Sequence, residues 1–240
     1  MLKIEPIPAF EDNYIWLLRD DSGTTAVIDP GDAHTVQVTL DHHKIGLDYI
    51  LNTHHHWDHT GGNMALKHKY GCRVIGPAAD KMRIPGLDES VHEGDTISIG
   101  NATAKVIETH GHTIGHICLW FEDDKALFSG DTVFSMGTGR LFEGTPEMMW
   151  GSLQKIMALP DDTMMYCAHE YTEENGDFCL SVEPDNQDLQ ARMKEVQSLR
   201  AAKKPTLPVS LGMEKKTNSL LRAGNAARYG ELRTLKDNYD

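Results

Sequence analysis

Residues 53–59 read Thr53-His54-His55-His56-Trp57-Asp58-His59, and Thr60-Gly61-Gly62 follows. His54, His56 and Asp58 recur at every second position, with His59 directly after. Side chains that share a helix face are three or four residues apart. The spacing therefore suits a loop that leaves an apolar strand at 49–52 and ends at the glycines before a helix. A lone histidine is usually structural. Several imidazoles and a carboxylate within six positions would be costly to desolvate unless they held a metal ion. Nitrogen and carboxylate donors without cysteine fit zinc, iron or manganese in a catalytic site, not a structural zinc clamp.

Four ligands from one short loop cannot close two coordination spheres, so later segments are expected to add more. Three candidates follow apolar runs: Thr109-His110-Gly111-His112-Thr113-Ile114-Gly115-His116, Phe128-Ser129-Gly130-Asp131-Thr132 and Cys167-Ala168-His169-Glu170-Tyr171. Each stands at a strand end, where functional groups usually sit. Apolar and alternating runs place strands at 4–7, 14–19, 25–28, 49–52, 73–75, 96–99, 102–108, 117–121, 126–128 and 164–167. Helices are expected near 34–44, 63–70, 147–159 and 188–203, the third opening on Thr145-Pro146. Strands mixed with helices imply sheets covered by helices. Beyond about residue 171 the strand texture fades, which sets a domain boundary near 172 with a small helical domain at 173–240.

The formal net charge of the 240-residue chain is -13, which argues against a nucleic-acid partner, since that needs a basic face. Cys72, Cys118, Cys167 and Cys179 form no C-x-x-C pair and are read as reduced thiols of a cytoplasmic protein. The first residues show no signal-peptide core, and no apolar stretch approaches the roughly 20 residues of a membrane span. A cytoplasmic monomer without a membrane partner is the expectation. No G-x-S-x-G elbow, dinucleotide fingerprint or phosphate-binding loop is present.

Taken in order, H-x-H-x-D-H, G-H-T-x-G-H, S-G-D-T and A-H-E resemble the metallo-β-lactamase superfamily. That resemblance implies an αββα sandwich with two metal ions, here with a small C-terminal helical domain. It further implies that His54, His56 and His112 hold one ion and Asp58, His59 and His169 the other, with Asp131 bridging. The superfamily usually has proline at the position of His110, so His110 competes with His112 for the third place in the first site. His116 is expected to orient its loop, and His55 to point away from its alternating neighbours.

Within that superfamily, Gly139-Arg140-Leu141-Phe142-Glu143-Gly144-Thr145 and His169-Glu170-Tyr171-Thr172 resemble the hydroxyacylglutathione hydrolase (glyoxalase II) family. So do Ile7-Pro8-Ala9-Phe10-Glu11-Asp12-Asn13-Tyr14 and, in the tail, Thr206-Leu207-Pro208, Asn218-Ser219-Leu220-Leu221-Arg222 and Arg233-Thr234-Leu235-Lys236-Asp237. Ser219, where proline is common, and Phe142, where some members carry tyrosine, depart from the pattern. The resemblance implies a thioesterase acting on glutathione thioesters, with two divalent ions, most simply zinc. Asp58 would orient the attacking water, and Arg140, Phe142, Tyr171, Arg233 and Lys236 would hold the substrate. An iron-dependent sulfur dioxygenase on the same scaffold and an inactive metal-binding scaffold are the rival readings.

Overall fold

In β1 (Lys3–Ala9) and β2 (Asn13–Arg19), apolar residues fall on both faces of the second strand, and the two pair antiparallel with Lys3 opposite Arg19. They open the computed structural model, which describes residues 1–239 and divides into two compact units. The first unit comprises Met1–Glu108 and Gly115–Gly130. The second comprises Thr109–Ile114 and the chain from Asp131 onward. The C-terminal helices thus group with the segment that begins at Asp131.

The first unit continues with β3 (Thr25–Ile28), α1 (Ala33–His43), β4 (Tyr49–Leu51), α2 (Trp57–Thr60), α3 (Asn63–Tyr70), β5 (Arg73–Pro77) and β6 (Glu89–Val91). Its remaining strands are β7 (Thr96–Ile99), β8 (Ala102–Glu108), β9 (Ile117–Phe121) and β10 (Ala126–Gly130). One sheet runs β1-β2-β3-β4-β5-β6, antiparallel as far as β3 and parallel from β3 to β6. In the other sheet β10, β9, β8 and β7 are neighbours in that order, all antiparallel.

Side chains of a strand alternate between faces, and β2 uses both. Ile15 and Leu17 join Val36 and Leu40 of α1 and Leu66 of α3 in one apolar cluster. Trp16 points the other way and meets Phe128 of β10, with ring centroids 6.4 Å apart. One sheet therefore carries helices on one face and the second sheet on the other. The parallel register aligns Ile28, Leu51 and Ile75. As a result, the segments that follow β3, β4 and β5 all leave from one edge, the usual place for a site in parallel strands.

The loop reading of 53–59 holds only as far as His56. Trp57–Thr60 is the helical turn α2, because the His56 carbonyl accepts hydrogen bonds from the backbone N–H groups of His59 (3.0 Å) and Thr60 (3.1 Å). Asp58 and His59 therefore project from a helix, not from an extended loop. The short strand β6 had no clear signal in the sequence.

The second unit holds the two-residue strands β11 (Val133–Phe134) and β12 (Gly137–Thr138), then α4 (Pro146–Met157), β13 (Met164–Cys167), α5 (Thr172–Val182) and α6 (Gln187–Ala201). It ends with β14 (Val209–Ser210), α7 (Leu211–Thr217) and α8 (Ala226–Asp237). Thr145 caps α4 through its side chain, with proline in the first turn, and Trp150 packs against Tyr229 of α8 at 6.3 Å. Among the described residues no helix is long and apolar enough to cross a membrane.

Leu17 is fully buried in the helix-facing cluster. Leu17→Ala should destabilise the protein by about 2–5 kcal/mol in denaturant unfolding; a change below about 0.5 kcal/mol would contradict this packing.

Candidate metal centre

The aligned strand ends give the first unit its share of the site. Asp29, one residue past β3, is buried and adopts φ 54. Its carboxylate accepts the Thr53 backbone N–H (2.8 Å) and the Thr53 hydroxyl (2.7 Å), and lies 3.0 Å from His59 Nδ1. A carboxylate 3.0 Å from Nδ1 favours the tautomer with the proton on that nitrogen, which leaves Nε2 as the ligating atom. His54 Nδ1 stands 3.0 Å from the Thr53 hydroxyl oxygen. That hydroxyl donates to Asp29 and so accepts from His54, which likewise frees Nε2. Position 31 must be glycine, because a Cβ there would lie 1.9 Å from the Asp58 carbonyl oxygen.

Asp58 accepts a hydrogen bond from the Asn13 amide (3.1 Å), and its Oδ2 lies 3.3 Å from His59 Nε2. His116 stacks on His54 at 4.9 Å between ring centroids, and the Ile117 N–H binds the Thr53 carbonyl. His55 turns away and places Nδ1 3.0 Å from Asp80. Asp80 is fully buried and also pairs with Arg83.

In the second unit Asp131 lies between two imidazoles. Its Oδ2 is 3.4 Å from His112 Nε2, and its Oδ1 is 3.5 Å from His169 Nε2. His112 Nδ1 is 2.9 Å from the Arg140 carbonyl, a contact that fixes the tautomer with Nε2 free to ligate. Of the two competing histidines, His112 is the one that faces Asp131. The His110 ring instead engages the Ile114 carbonyl, and its own carbonyl accepts the Ser152 hydroxyl. A side chain at Gly139 would strike the Asp131 carbonyl at 2.0 Å. Tyr171 stacks on the His169 ring, 4.8 Å away and 5° from parallel, and Phe134 meets both rings edge-on.

These donors fit a metal ion. Two ligands about 2.1 Å from a tetrahedral zinc ion stand about 3.4 Å apart, and the three separations of 3.3, 3.4 and 3.5 Å match that edge. The two oxygens of Asp131 face different imidazoles, an arrangement that a bridging carboxylate can use. Asp29, His54 and His59 also bring donors within 4.8 Å of one another. Asp29 is already engaged with Thr53 and with the far nitrogen of His59, so it serves as a support and not as a ligand.

His112 and Asp131 also line a cleft of about 470 Å³ together with Arg140, Phe142, Tyr171, Arg233 and Lys236. That volume falls in the range of small-molecule sites. All five side chains singled out as substrate contacts therefore reach one cavity. Arg233 is buried, donating through Nη1 to the Thr138 carbonyl (2.7 Å) and through Nη2 to Asp237 (2.9 Å). Lys236 donates to the Glu174 carbonyl at 3.2 Å and lies over the rings of Phe178 and Tyr239. Burial, reinforced by the Arg233 charge, pulls its pKa below that of an ordinary lysine. Sequence reading missed Asp29, Asn13 and Asp80, as well as Glu174, Asn175 and Tyr239 of the cleft wall. For Asp29 a faint signal existed, an acid at a strand end before Pro30-Gly31.

The fold and the donor set define a metallo-β-lactamase-fold protein, and comparison with known proteins agrees. The metallo-beta-lactamase superfamily model matches residues 9–169, and the hydroxyacylglutathione hydrolase C-terminus model matches residues 170–239. The chain is 51% identical over 226 residues to hydroxyacylglutathione hydrolase of Rhodospirillum rubrum, covering 94% of this chain and 88% of that protein. With the enzyme of the same name from Methylococcus capsulatus it shares 48% over 223 residues, covering 92% and 87%. Among solved structures, ETHE1 from Myxococcus xanthus superposes with a TM-score of 0.74 at 20% identity, over 98% of this chain and 90% of that one. A metallo-beta-lactamase from Staphylococcus aureus gives 0.70 at 20% identity, over 98% and 71%. The chain belongs to the hydroxyacylglutathione hydrolase family.

Asp29→Ala should weaken zinc binding about 10- to 100-fold, as expected when the hydrogen-bond partner of a ligating histidine is removed. Titration of the folded protein against a chelator measures it, and unchanged affinity would show that Asp29 does not orient His59.

Proposed function

We propose that the chain hydrolyses S-(2-hydroxyacyl)glutathione, foremost S-D-lactoylglutathione, to a 2-hydroxy acid and glutathione. The observation that carries the reading is the single cleft in which two candidate metal ligands, His112 and Asp131, share walls with Arg140, Arg233 and Lys236. Glutathione bears two carboxylates, and a basic cleft in a chain of net charge -13 is where they would be attracted.

In this reading His54, His56 and His112 hold one divalent ion and Asp58, His59 and His169 the other, with Asp131 shared. Zinc suits the donors best, and iron and manganese accept the same set. Bound there, the ions would supply Lewis acidity at the thioester carbonyl and a water acidified to a pKa of about 7. Asp58, steadied by Asn13, orients that water by accepting its hydrogen bond. Lys236 and Arg140 pair with the peptide carboxylates. Arg233, whose two terminal nitrogens are committed internally, contributes a fixed positive charge and holds the cleft wall. The exposed Phe142 ring, edge-on to His112 at 5.3 Å, offers the substrate an apolar face. A thiolate of pKa near 8.5 is a good leaving group, so no side chain need serve as general acid. In this scheme residues 1–172 carry the metal ligands with Arg140, Phe142 and Tyr171, and 173–240 add Arg233 and Lys236 to the substrate contacts.

Zinc-loaded protein should turn over S-D-lactoylglutathione; absence of turnover would refute the reading. Asp131→Ala should lose at least one zinc per chain by elemental analysis, and retention of both would exclude a bridging role. Lys236→Ala should raise KM about tenfold, equivalent to about 1.4 kcal/mol of binding, with kcat within threefold. An unchanged KM would remove Lys236 from substrate binding.

A further inference from the structure

Glu214 on α7 is fully buried and has no part in the proposed chemistry. Its carboxylate accepts the Met136 backbone N–H (2.8 Å), the Ser135 hydroxyl (2.9 Å) and the Asn218 amide (3.1 Å). Burial pushes its pKa up, while these hydrogen bonds hold it down. Burying a carboxylate costs several kcal/mol, and an apolar residue of similar size is often as stable or more so. Such a charge calls for a reason other than stability.

The turn it grips supplies one. Met136 takes φ 55, a left-handed conformation unfavourable for a residue with a side chain. Asn218 donates to the Gly137 carbonyl (3.0 Å), Asn175 to that of Ser135 (3.2 Å), and the Cys179 thiol to that of Met136 (3.2 Å). Two helices, α5 and α7 with its capping residue Asn218, thus hold the backbone of residues 135–137. The strands on either side, β11 and β12, connect that turn to the ligands. Asp131 stands two residues before β11, and the Phe134 ring packs edge-on against His169 at 5.7 Å. Beyond β12, the Arg140 carbonyl takes the His112 Nδ1–H.

We propose that Glu214 is a positioning residue for the metal site: by fixing the 135–137 turn from α7 it sets the placement of Asp131, His112 and His169. The proposal rests on the metal-site reading above and gives the C-terminal helices a second task besides lining the cleft.

The test is zinc affinity, measured by chelator competition on the folded, metal-free full-length chain, with the melting temperature recorded in parallel. Glu214→Leu should bind zinc about 10- to 100-fold more weakly, the usual loss when support for metal ligands is removed, even if its melting temperature is unchanged or higher. Glu214→Gln keeps an acceptor for Met136 and a partner for Ser135, and should stay within about threefold of the unmodified chain. Folded Glu214→Leu that binds zinc as tightly as the unmodified chain overturns the proposal. Should Glu214→Leu fail to fold, Asn218→Ala decides: weakened zinc binding supports the proposal and unchanged binding overturns it. Unmodified protein that binds zinc but does not hydrolyse S-D-lactoylglutathione would refute the substrate reading and leave this inference standing.

Discussion

The carboxylate of Asp29 imposes the constraint on which the first half of the site depends. A buried carboxylate must be met by donors; here it accepts the Thr53 N–H and the Thr53 hydroxyl, and His59 Nδ1 stands 3.0 Å away. Satisfying the acid therefore determines which nitrogen of His59 is free. Through the Thr53 hydroxyl it determines the same for His54. The parallel register of β3 with β4 brings Asp29 to Thr53 in the first place, since Ile28 and Leu51 are partners one and two residues earlier. Sheet pairing thus fixes an acid, the acid fixes two tautomers, and the tautomers decide where metal-directed lone pairs point.

In the second unit other groups position the imidazoles. The Arg140 carbonyl sets the tautomer of His112, and His169 is held between the face of Tyr171 and the edge of Phe134. A carboxylate behind an imidazole makes it a stronger donor than a neutral carbonyl does. His59 and His112 are accordingly supported by different kinds of group, a carboxylate and a backbone carbonyl.

Much of this was legible in the sequence, for a definable reason. Ligands crowded into residues 53–59, and short motifs at strand ends, need only local reading. The strands read well because β2, β8 and β9 alternate or bury their side chains in a regular way. What escaped was non-local or too short. Asp29 reads as a turn acid before Pro30-Gly31, and its meaning lies in contacts with residues 53 and 59. Glu214 sits in Met213-Glu214-Lys215-Lys216, an ordinary polar helix by composition, and its partners are near residue 136. The α2 turn escaped because a six-residue pattern cannot register a change of conformation halfway along it.

Charge distribution connects the fold to the choice of substrate. The chain carries a net charge of -13 and repels anions in general, so an anionic thioester is favoured only where cations are concentrated. In the cleft, Asp237 is shared by Arg233 at 2.9 Å and Arg140 at 3.6 Å, which partly neutralises both. Lys236 is placed differently, against a carbonyl and two aromatic rings, and its lowered pKa reflects the cost of keeping a charge there. A cation already stripped of much of its water gains more from an incoming carboxylate than an exposed one does, because screening is weaker in its surroundings. If the proposed substrate is right, the half-buried lysine, more than the exposed Arg140, is the group best placed to distinguish a glutathione thioester from an uncharged one.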